Sequence, residues 1–282
     1  MKKSSLFLFA LTSVFSGIGY AGAIYSNGLE SGAPLKSQFY DINNYGGGFA
    51  ELTTEKAHSG SYAIKINYPV NEAGTEIKPV AFPATPSLFT RKYEYYAPGW
   101  EGNWPVGLKT SRYFTTPDYK TTTPQGNYAY MSEKLIWQTY SSTCNEQYGM
   151  GMNNAIFNKD LEYKYLPSAI YGNGLPYIRT GHWYRFETWM VLNSAVDVAD
   201  GVLKIWIDGV LVYSNEAVMW KSTARGVTQG DGWQSMWFGG NYSGAICGEP
   251  TTPLVRYIDD LYLSTTLDLL EKPAAPLGFI VK

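Results

Sequence analysis

The clearest alternation of apolar and polar residues in this chain lies in the segment His182–Tyr213. Its first half places two sets of side chains on opposite sides of an extended backbone: Tyr184, Phe186, Thr188, Met190 and Leu192 on one side, and Trp183, Arg185, Glu187, Trp189 and Val191 on the other. A period of two residues predicts a β-strand with one face in a core. The other face is half charged and half indole.

The second half of the segment repeats this alternation after a loop at Asn193–Gly201. Its apolar and polar sets are Leu203, Ile205 and Ile207 against Lys204, Trp206 and Asp208. Asp208-Gly209 then provides the backbone freedom for a tight reversal into Val210–Tyr213. The segment therefore predicts two long antiparallel strands and a shorter returning strand.

If the polar faces of the two long strands lie side by side, they form a charged surface lined with rings. The residues of this surface are Arg185, Glu187, Trp189, Lys204 and Trp206. Such a surface suits a polysaccharide, because aromatic rings complement the C–H faces of sugars. The alternative is that the charged side chains pair with one another and the tryptophans serve as packing.

Further segments with strand character occur along most of the chain. They are Ala23–Gly32, His58–Asn67, Leu88–Tyr96, Val106–Phe114, Ala129–Tyr140, Gln147–Phe157, Trp233–Gly239 and Val255–Ser264. Four prolines between residues 69 and 86 favour an edge strand and loop there. About a dozen strands in one domain predict an all-β fold, a two-sheet antiparallel β-sandwich, because a flat sheet of that size would expose too much apolar surface.

The first 23 residues have the features of an export signal. Lys2 and Lys3 precede an apolar run from Leu6 to Phe15, and Ala21-Gly22-Ala23 is a small-residue cleavage pattern. We therefore expect a signal peptide at 1–23, a β-sandwich domain at 24–271 and a C-terminal tail at 272–282. The mature protein is expected to be secreted or periplasmic, without a membrane partner, and monomeric. A membrane-anchored form is the alternative.

Charge and cysteine content restrict the partners and the compartment. Removing the two leader lysines from 22 basic residues leaves 20, against 24 acidic residues, so nucleic acid is not an expected partner. An acidic polysaccharide is not excluded, because a local cationic cluster can bind an anion on a mildly acidic protein. Cys144 and Cys247 are the only cysteines. Export favours a disulfide between them, and two buried free thiols are the alternative.

Several short motifs together resemble a known group of proteins. They are Tyr25–Gly32 (YSNGLESG), Ser59–Lys65 (SGSYAIK), Trp183–Asn193, Asp200–Gly209 and Tyr257–Leu261 (YIDDL). The set resembles the concanavalin A-like jelly rolls, and among them the polysaccharide lyases of family 14 and the glucuronan-lyase group. This resemblance implies β-elimination on uronic-acid polymers such as alginate or glucuronan, with the catalytic cationic and phenolic side chains gathered on one concave sheet.

The resemblance also suggests catalytic residues. Family 14 uses a lysine, a serine and arginine pair, and a Tyr-x-Tyr pair, which correspond here to Lys109, to Ser111 with Arg112, and to Tyr128 with Tyr130. The family places its serine and arginine on a later strand with one residue between them, whereas here they are adjacent and directly follow the lysine. Proton abstraction at C5 needs a base, and the substrate carboxylate needs a cation.

Strand geometry adds a condition to this assignment. In a regular strand Lys109 and Arg112 point to opposite faces, so they meet in one site only if a bulge or the strand end intervenes. Lys134 is an alternative cation on the next strand, where Gln138 shares its face. Tyr148 is a competing phenol, and both Gln138 and Tyr148 are candidate substrate-binding residues.

Two further expectations concern metal binding and function class. Jelly rolls of this kind often bind a structural calcium between an acid of the first strand and one of the last, which here implies Glu30 with Asp259 or Asp260 as ligands. Ordinary surface acids are the alternative. A non-catalytic, lectin-like protein is the alternative to a lyase. A laminarinase-type hydrolase is disfavoured, because the sequence has no Glu-x-Asp-x-x-Glu run.

Overall fold

A computed structural model describes most of the chain from residue 22 to residue 270. The described residues are 22–44, 46–70, 74–100, 108–116, 129–137, 150–157, 164–165, 178, 180–240 and 252–270. Within them the chain forms fifteen β-strands, one short α-helix, α1 (Leu35–Gln38), and a 3-10 helix at Thr223–Arg225. No helix of this part of the chain is long and apolar enough to cross a membrane.

Eight of the described strands form one antiparallel sheet. They are β1 (Ala23–Asn27), β3 (Phe49–Thr53), β4 (Ala63–Tyr68), β6 (Ser87–Tyr96), β11 (Trp183–Val191), β12 (Gly201–Ile207), β13 (Val210–Val218) and β15 (Leu254–Ser264). Their order is β13-β12-β11-β6-β15-β4-β3, with β1 also paired to β15. The register pairs Glu187 with Trp206 and Trp189 with Lys204, so the predicted antiparallel hairpin is confirmed.

The other seven strands form the second antiparallel sheet. They are β2 (Asp41–Asn44), β5 (Thr75–Lys78), β7 (Leu108–Phe114), β8 (Tyr130–Trp137), β9 (Met150–Phe157), β10 (Lys164–Tyr165) and β14 (Ser235–Gly239). Their order is β10-β9-β8-β7-β14-β5-β2. The two-sheet antiparallel sandwich predicted from the sequence is therefore confirmed.

The core lies between the two sheets and is built from alternate residues of their strands. The inward set includes Phe186, Ile205 and Ile258 of the eight-stranded sheet, and Tyr113 and Phe238 of the seven-stranded sheet, all almost completely buried. Because neighbouring residues of a strand point to opposite faces, these core positions also determine which residues lie on the outer faces.

The structure adds strands that the pattern of the sequence did not predict. β2 and β3 have four and five residues, too few for a clear period. β5 lies in the proline-containing segment that was expected to be edge strand and loop, but it pairs on both sides, with β14 and with β2. Its four residues are all buried, which is the property of an interior strand.

Candidate active site

The register between β7 and β8 contains one irregularity. Lys109 pairs with Lys134, and the next pair along the ladder joins Ser111 with Glu133. Two steps along β7 therefore match one step along β8, and Thr110 is the extra residue of a β-bulge. The register thus places the backbone of Lys134, the alternative cation, opposite that of Lys109.

This bulge changes the alternation of side chains along β7. Ser111 and Tyr113 face the interior, where the Ser111 hydroxyl accepts a hydrogen bond from Lys92 and the Tyr113 ring joins the core. Arg112 therefore faces outward, and the extra residue brings Lys109 to the outer face with it. The condition set by strand geometry is met for Lys109 and Arg112. Ser111 is excluded from the outer face.

Two more side chains lie beside Arg112 on this outer face. Trp237 of β14 is its register partner, and Glu76 of β5 forms an ion pair with its guanidinium group. Glu76 and Trp237 are almost completely inaccessible to solvent, and Arg112 is 9% exposed. We call Lys109, Arg112, Glu76 and Trp237 the Lys109 cluster. Low exposure strengthens its charge interactions, because water screens them less.

Sequence reasoning missed Glu76 and Trp237. Glu76 belongs to the segment in which prolines suggested a loop, and a four-residue strand gives no usable period. Trp237 belongs to a predicted strand, but one tryptophan in a strand is usually packing. Arg112 was already a candidate. A buried arginine usually pairs with an acid, and this requirement could have pointed to Glu76.

Lys109 is half-buried and has no acidic partner among the described residues. Burial lowers its pKa below the ordinary lysine value, because removal of water disfavours the charged form. The end of β14 passes close to its backbone: a Cβ atom added to Gly240 would lie 1.6 Å from the Lys109 carbonyl oxygen. The absence of a side chain at Gly240 is therefore part of what places Lys109.

The remaining candidates of the β8 region are only partly located. Tyr130 pairs with Phe114 on β7 and with Phe157 on β9, so its backbone lies two strand positions from that of Ser132, the partner of Arg112. Tyr128, Gln138 and Tyr148 lie outside the described residues, as do Cys144 and Cys247. Their predicted roles, and the predicted disulfide, stay predictions.

The five candidates of the predicted hairpin lie on the opposite sheet from Lys109. Arg185, Glu187 and Trp189 belong to β11, and Lys204 and Trp206 belong to β12. All five share the outer face of the eight-stranded sheet, as the alternation predicted. These five residues and Lys109 therefore lie on different sheets, because β11 pairs with β12 and β6, whereas β7 pairs with β8 and β14.

On that sheet the charged candidates are engaged with other protein groups. Arg185 Nε lies 3.2 Å from Glu187 Oε2, and both side chains are buried. A second arginine, Arg91, lies 3.7 Å from Glu187 Oε1. Lys204 Nζ lies 2.5 Å from Glu216 Oε1. Burial raises the pKa of Glu187, and the two arginines only partly offset this effect. The alternative of internal pairing therefore describes Arg185 and Glu187.

The three expected calcium ligands all accept hydrogen bonds from, or contact, the segment His58–Tyr62. Both carboxylate oxygens of Glu30 accept hydrogen bonds from the Ser61 backbone N–H. Asp259 Oδ2 accepts one from the His58 backbone N–H at 2.8 Å, and Asp260 contacts the His58 ring at 2.6 Å. Within the described ranges no three acidic, histidine or cysteine side chains form a metal-binding group. The calcium site stays a prediction.

Comparison with known proteins supports the fold. The sequence matches no protein-family model, and no curated protein matches it. By structure the chain is similar to an alginate lyase, Aly36B, in a variant bound to alginate trisaccharide, with a TM-score of 0.57, 14% identity and coverage of 86% of this chain and 98% of the other. The marine PL-14 alginate lyase from Aplysia kurodai has a TM-score of 0.54 and 13% identity, with coverage of 82% of this chain and 92% of the other.

A third structure broadens the set beyond alginate lyases. The endo-β-1,4-glucuronan lyase from the fungus Trichoderma reesei has a TM-score of 0.50 and 12% identity, with coverage of 81% of this chain and 91% of the other. Because each comparison covers nearly the whole of the other chain, the likeness extends over the complete sandwich. At these identities it establishes a shared jelly-roll fold, as the sequence motifs predicted.

Proposed function

We infer that this chain is a polysaccharide lyase that cleaves a uronic-acid polysaccharide by β-elimination on the outer face of its seven-stranded sheet. The observation that carries this proposal is the β-bulge at Thr110, which brings Lys109 and Arg112 to one face. Lys109 is a half-buried cation with no acidic partner in the described part of the chain, and a uronate carboxylate would supply the missing charge.

The chemistry assigns different tasks to the two cations. Arg112 binds the substrate carboxylate, and its charge stabilises the negative charge that develops when the C5–H bond breaks. A guanidinium group has five N–H donors, and one nitrogen of Arg112 faces Glu76 in an ion pair. Lys109 takes the C5 proton as a neutral amine. Its lowered pKa favours this role, since a larger fraction of the amine is neutral at a given pH.

The elimination is complete when the C4–O bond breaks and the electrons of the C5–H bond form a C4=C5 double bond. The departing oxygen needs a proton, and a phenol is a suitable donor. Tyr128 and Tyr130 remain the candidates for this group from the sequence. Trp237, the register partner of Arg112, is almost completely buried, so its role is to pack beside the cation.

The choice of substrate class rests on similarity. The structural neighbours include alginate lyases and a glucuronan lyase, whose substrates are acidic polysaccharides. The Lys109 cluster has two cations and one acid, so it complements such a polymer. On the basis of the first 23 residues, we propose that the chain is exported to the periplasm or the medium. An exported enzyme can reach a polymer that is too large to enter a cell.

A glycan-binding protein without catalysis is the second candidate. The ion pair between Arg112 and Glu76 favours it, because the protein itself already neutralises the charge of this arginine. In this case the Lys109 amine would bind the uronate carboxylate without removing a proton. The two candidates differ only in whether bonds are broken.

The test is incubation of the purified chain with alginate, glucuronan, hyaluronan and heparin while ultraviolet absorbance reports new C4=C5 double bonds. A lyase produces absorbance with one or more of the uronate polymers. Binding in the same panel without any increase in absorbance identifies the glycan-binding candidate. Lys204→Ala is the matched control for changes at Lys109, because Lys204 is a partly exposed lysine on the opposite sheet. If no polymer in the panel is bound and none gives new absorbance, both candidates are contradicted.

A further inference from the structure

A buried ion pair crosses the interior of the sandwich directly beneath the Lys109 cluster. Lys92 belongs to β6 of the eight-stranded sheet, and Glu133 belongs to β8 of the seven-stranded sheet. Lys92 Nζ lies 3.0 Å from Glu133 Oε2, and their side chains are 2% and 1% exposed. The pair thus joins the two sheets with charges that water does not screen.

Both residues at the bulge contact this ion pair. Lys92 Nζ donates a hydrogen bond to the Ser111 hydroxyl and lies 3.4 Å from the Thr110 carbonyl oxygen. The Thr110 hydroxyl lies 3.5 Å from Glu133 Oε2. Since these contacts come from the backbone and the side chains of the bulge, the pair holds the irregular part of β7 from its inner side.

The pair is embedded in a network that fixes its own position. Glu133 Oε1 accepts hydrogen bonds from the Tyr113 hydroxyl at 2.8 Å and from the Thr188 hydroxyl at 2.5 Å. Lys92 Nζ also lies 2.9 Å from Glu94 Oε1. These hydrogen bonds and the contact with Glu94 hold the Lys92 ammonium group and the Glu133 carboxylate in one arrangement. The pKa of Glu133 is lowered despite its burial, because Lys92 and the hydroxyl donors stabilise the charged form.

We propose that Lys92 and Glu133 are positioning residues that maintain the Thr110 bulge and so keep Lys109 aligned with Arg112. This inference rests on the proposed function for its catalytic consequence, but not for its structural one. A strand without the bulge would return to regular alternation, and Lys109 and Arg112 would then point to opposite faces. Buried ion pairs add little stability over apolar residues of similar size, so a geometric role explains this pair better than stability does.

The test compares two variants that each remove one hydroxyl from the same network. Ser111→Ala removes the side-chain contact between Lys92 and the bulge, whereas Thr188→Val removes a contact of Glu133 that does not involve β7. The first measurement is amide hydrogen exchange of residues 108–112 in the full chain. Ser111→Ala should accelerate this exchange by about tenfold or more through local opening, and Thr188→Val should leave it unchanged.

The second measurement follows Lys109 directly and does not require lyase activity. Acetic anhydride labels neutral amines, so the pH dependence of Lys109 acetylation, read by peptide mass spectrometry, reports its pKa. Ser111→Ala should shift this pKa towards the ordinary lysine value, because a released Lys109 gains water. Lys204 in the same sample provides the internal reference, since neither variant touches it.

The third measurement links the alignment to turnover. Ser111→Ala should lower kcat/KM on the cleaved polymer by on the order of 10- to 100-fold, mainly through kcat, because the base is misplaced. Thr188→Val should stay within about twofold, because Glu133 keeps its contacts with Lys92 and Tyr113. If both variants change exchange and labelling equally, or neither does, the positioning role is overturned. A wild-type chain without lyase activity contradicts the proposed function, while exchange and labelling still decide the role of Lys92 and Glu133.

Discussion

On the outer face of the eight-stranded sheet, Arg185 and Arg91 both lie within 4 Å of the Glu187 carboxylate. On the outer face of the seven-stranded sheet, Lys109 is half-buried and has no acidic partner among the described residues. The two faces therefore carry similar cations in different electrostatic states. On one face the protein neutralises its own charges, and on the other it leaves a cation to be neutralised from outside.

This difference separates structural charges from functional ones. A buried cation costs free energy unless an acid compensates it, so an uncompensated cation is retained only where it has another use. The chemistry on a uronate polymer requires such a cation, because the substrate brings the acid. Arg112 is also paired with an acid, but it shares its face with Lys109, whereas Arg185 and Arg91 share theirs with the acid that pairs with both of them.

Replacement of Lys109 should have the largest effect on activity. Lys109→Ala should lower kcat/KM on the cleaved polymer by about 100- to 10,000-fold, the range for loss of a general base. Lys204→Ala on the opposite sheet should stay within about twofold, because its ion pair with Glu216 is largely exposed. Steady-state measurement of double-bond formation checks both. Comparable losses in the two variants would mean that the catalytic face is assigned to the wrong sheet.

Much of the fold could be predicted from the sequence where strands are long. β6 and β11 have ten and nine residues, so a period of two repeats often enough to be recognised. β2 and β5 have four residues each and offer only two repeats of the period. Which sheet a strand joins is decided by its pairing partners over long sequence separations, and no local pattern encodes that choice.

The candidate site was predictable only in part, for a related reason. The residues Lys109 and Arg112 could be named from motif and charge, but whether they share a face depends on one extra residue, Thr110, that local sequence does not mark as a bulge. The register with β8 reveals it. Glu76 was missed because its strand is short, and the burial of Arg185 and Glu187 depends on neighbours outside their own strand.

Replacement of Glu187 tests whether the paired charges of the eight-stranded sheet contribute to stability and not to activity. Glu187→Ala leaves Arg185 and Arg91 without their acid, and loss of one member of a buried ion pair costs about 3–5 kcal/mol. Urea unfolding should show this loss, whereas kcat/KM per folded molecule should stay close to that of the wild type. Glu216→Ala, at an exposed ion pair, is the control and should leave the urea midpoint nearly unchanged. A fall in kcat/KM with intact folding would return Glu187 to the list of functional residues.

A glycine beside Lys109 allows its position to be disturbed without changing its chemistry, and a glycine of the other sheet provides the control. A Cβ atom at Gly240 would lie 1.6 Å from the Lys109 carbonyl oxygen, and one at Gly201 would lie 2.5 Å from the Val218 carbonyl oxygen on the other sheet. Each alanine variant should lose about 1–3 kcal/mol of stability, because backbone must shift to accept the methyl group. Gly240→Ala alone should also lower kcat, measured on the folded fraction. Equal kcat values in the two variants would show that the β14 contact does not position Lys109.

The smallest expected effect is a gain in stability on one face only, and it follows from the lowered pKa of Lys109. Lys109→Met keeps most of the aliphatic packing and removes the charge, so at neutral pH it should stabilise the fold by about 0.5–1 kcal/mol, the usual gain when a functional residue is relieved of an unfavourable environment. Lys204→Met, which breaks an ion pair on the other sheet, should bring no such gain.

The pH dependence of this gain gives the sharper test. Burial lowers the folded-state pKa of Lys109 below the ordinary value of 10.5, so between these two values the unfolded chain binds more protons than the folded one. The stability of the wild type therefore rises with pH across that window, and the advantage of Lys109→Met should be complete below it and vanish above 10.5. Urea midpoints of both proteins at several pH values measure the difference. An advantage that is absent at neutral pH, or that persists above the window, would mean that the Lys109 charge is compensated by the protein after all, as the charges of the opposite face are.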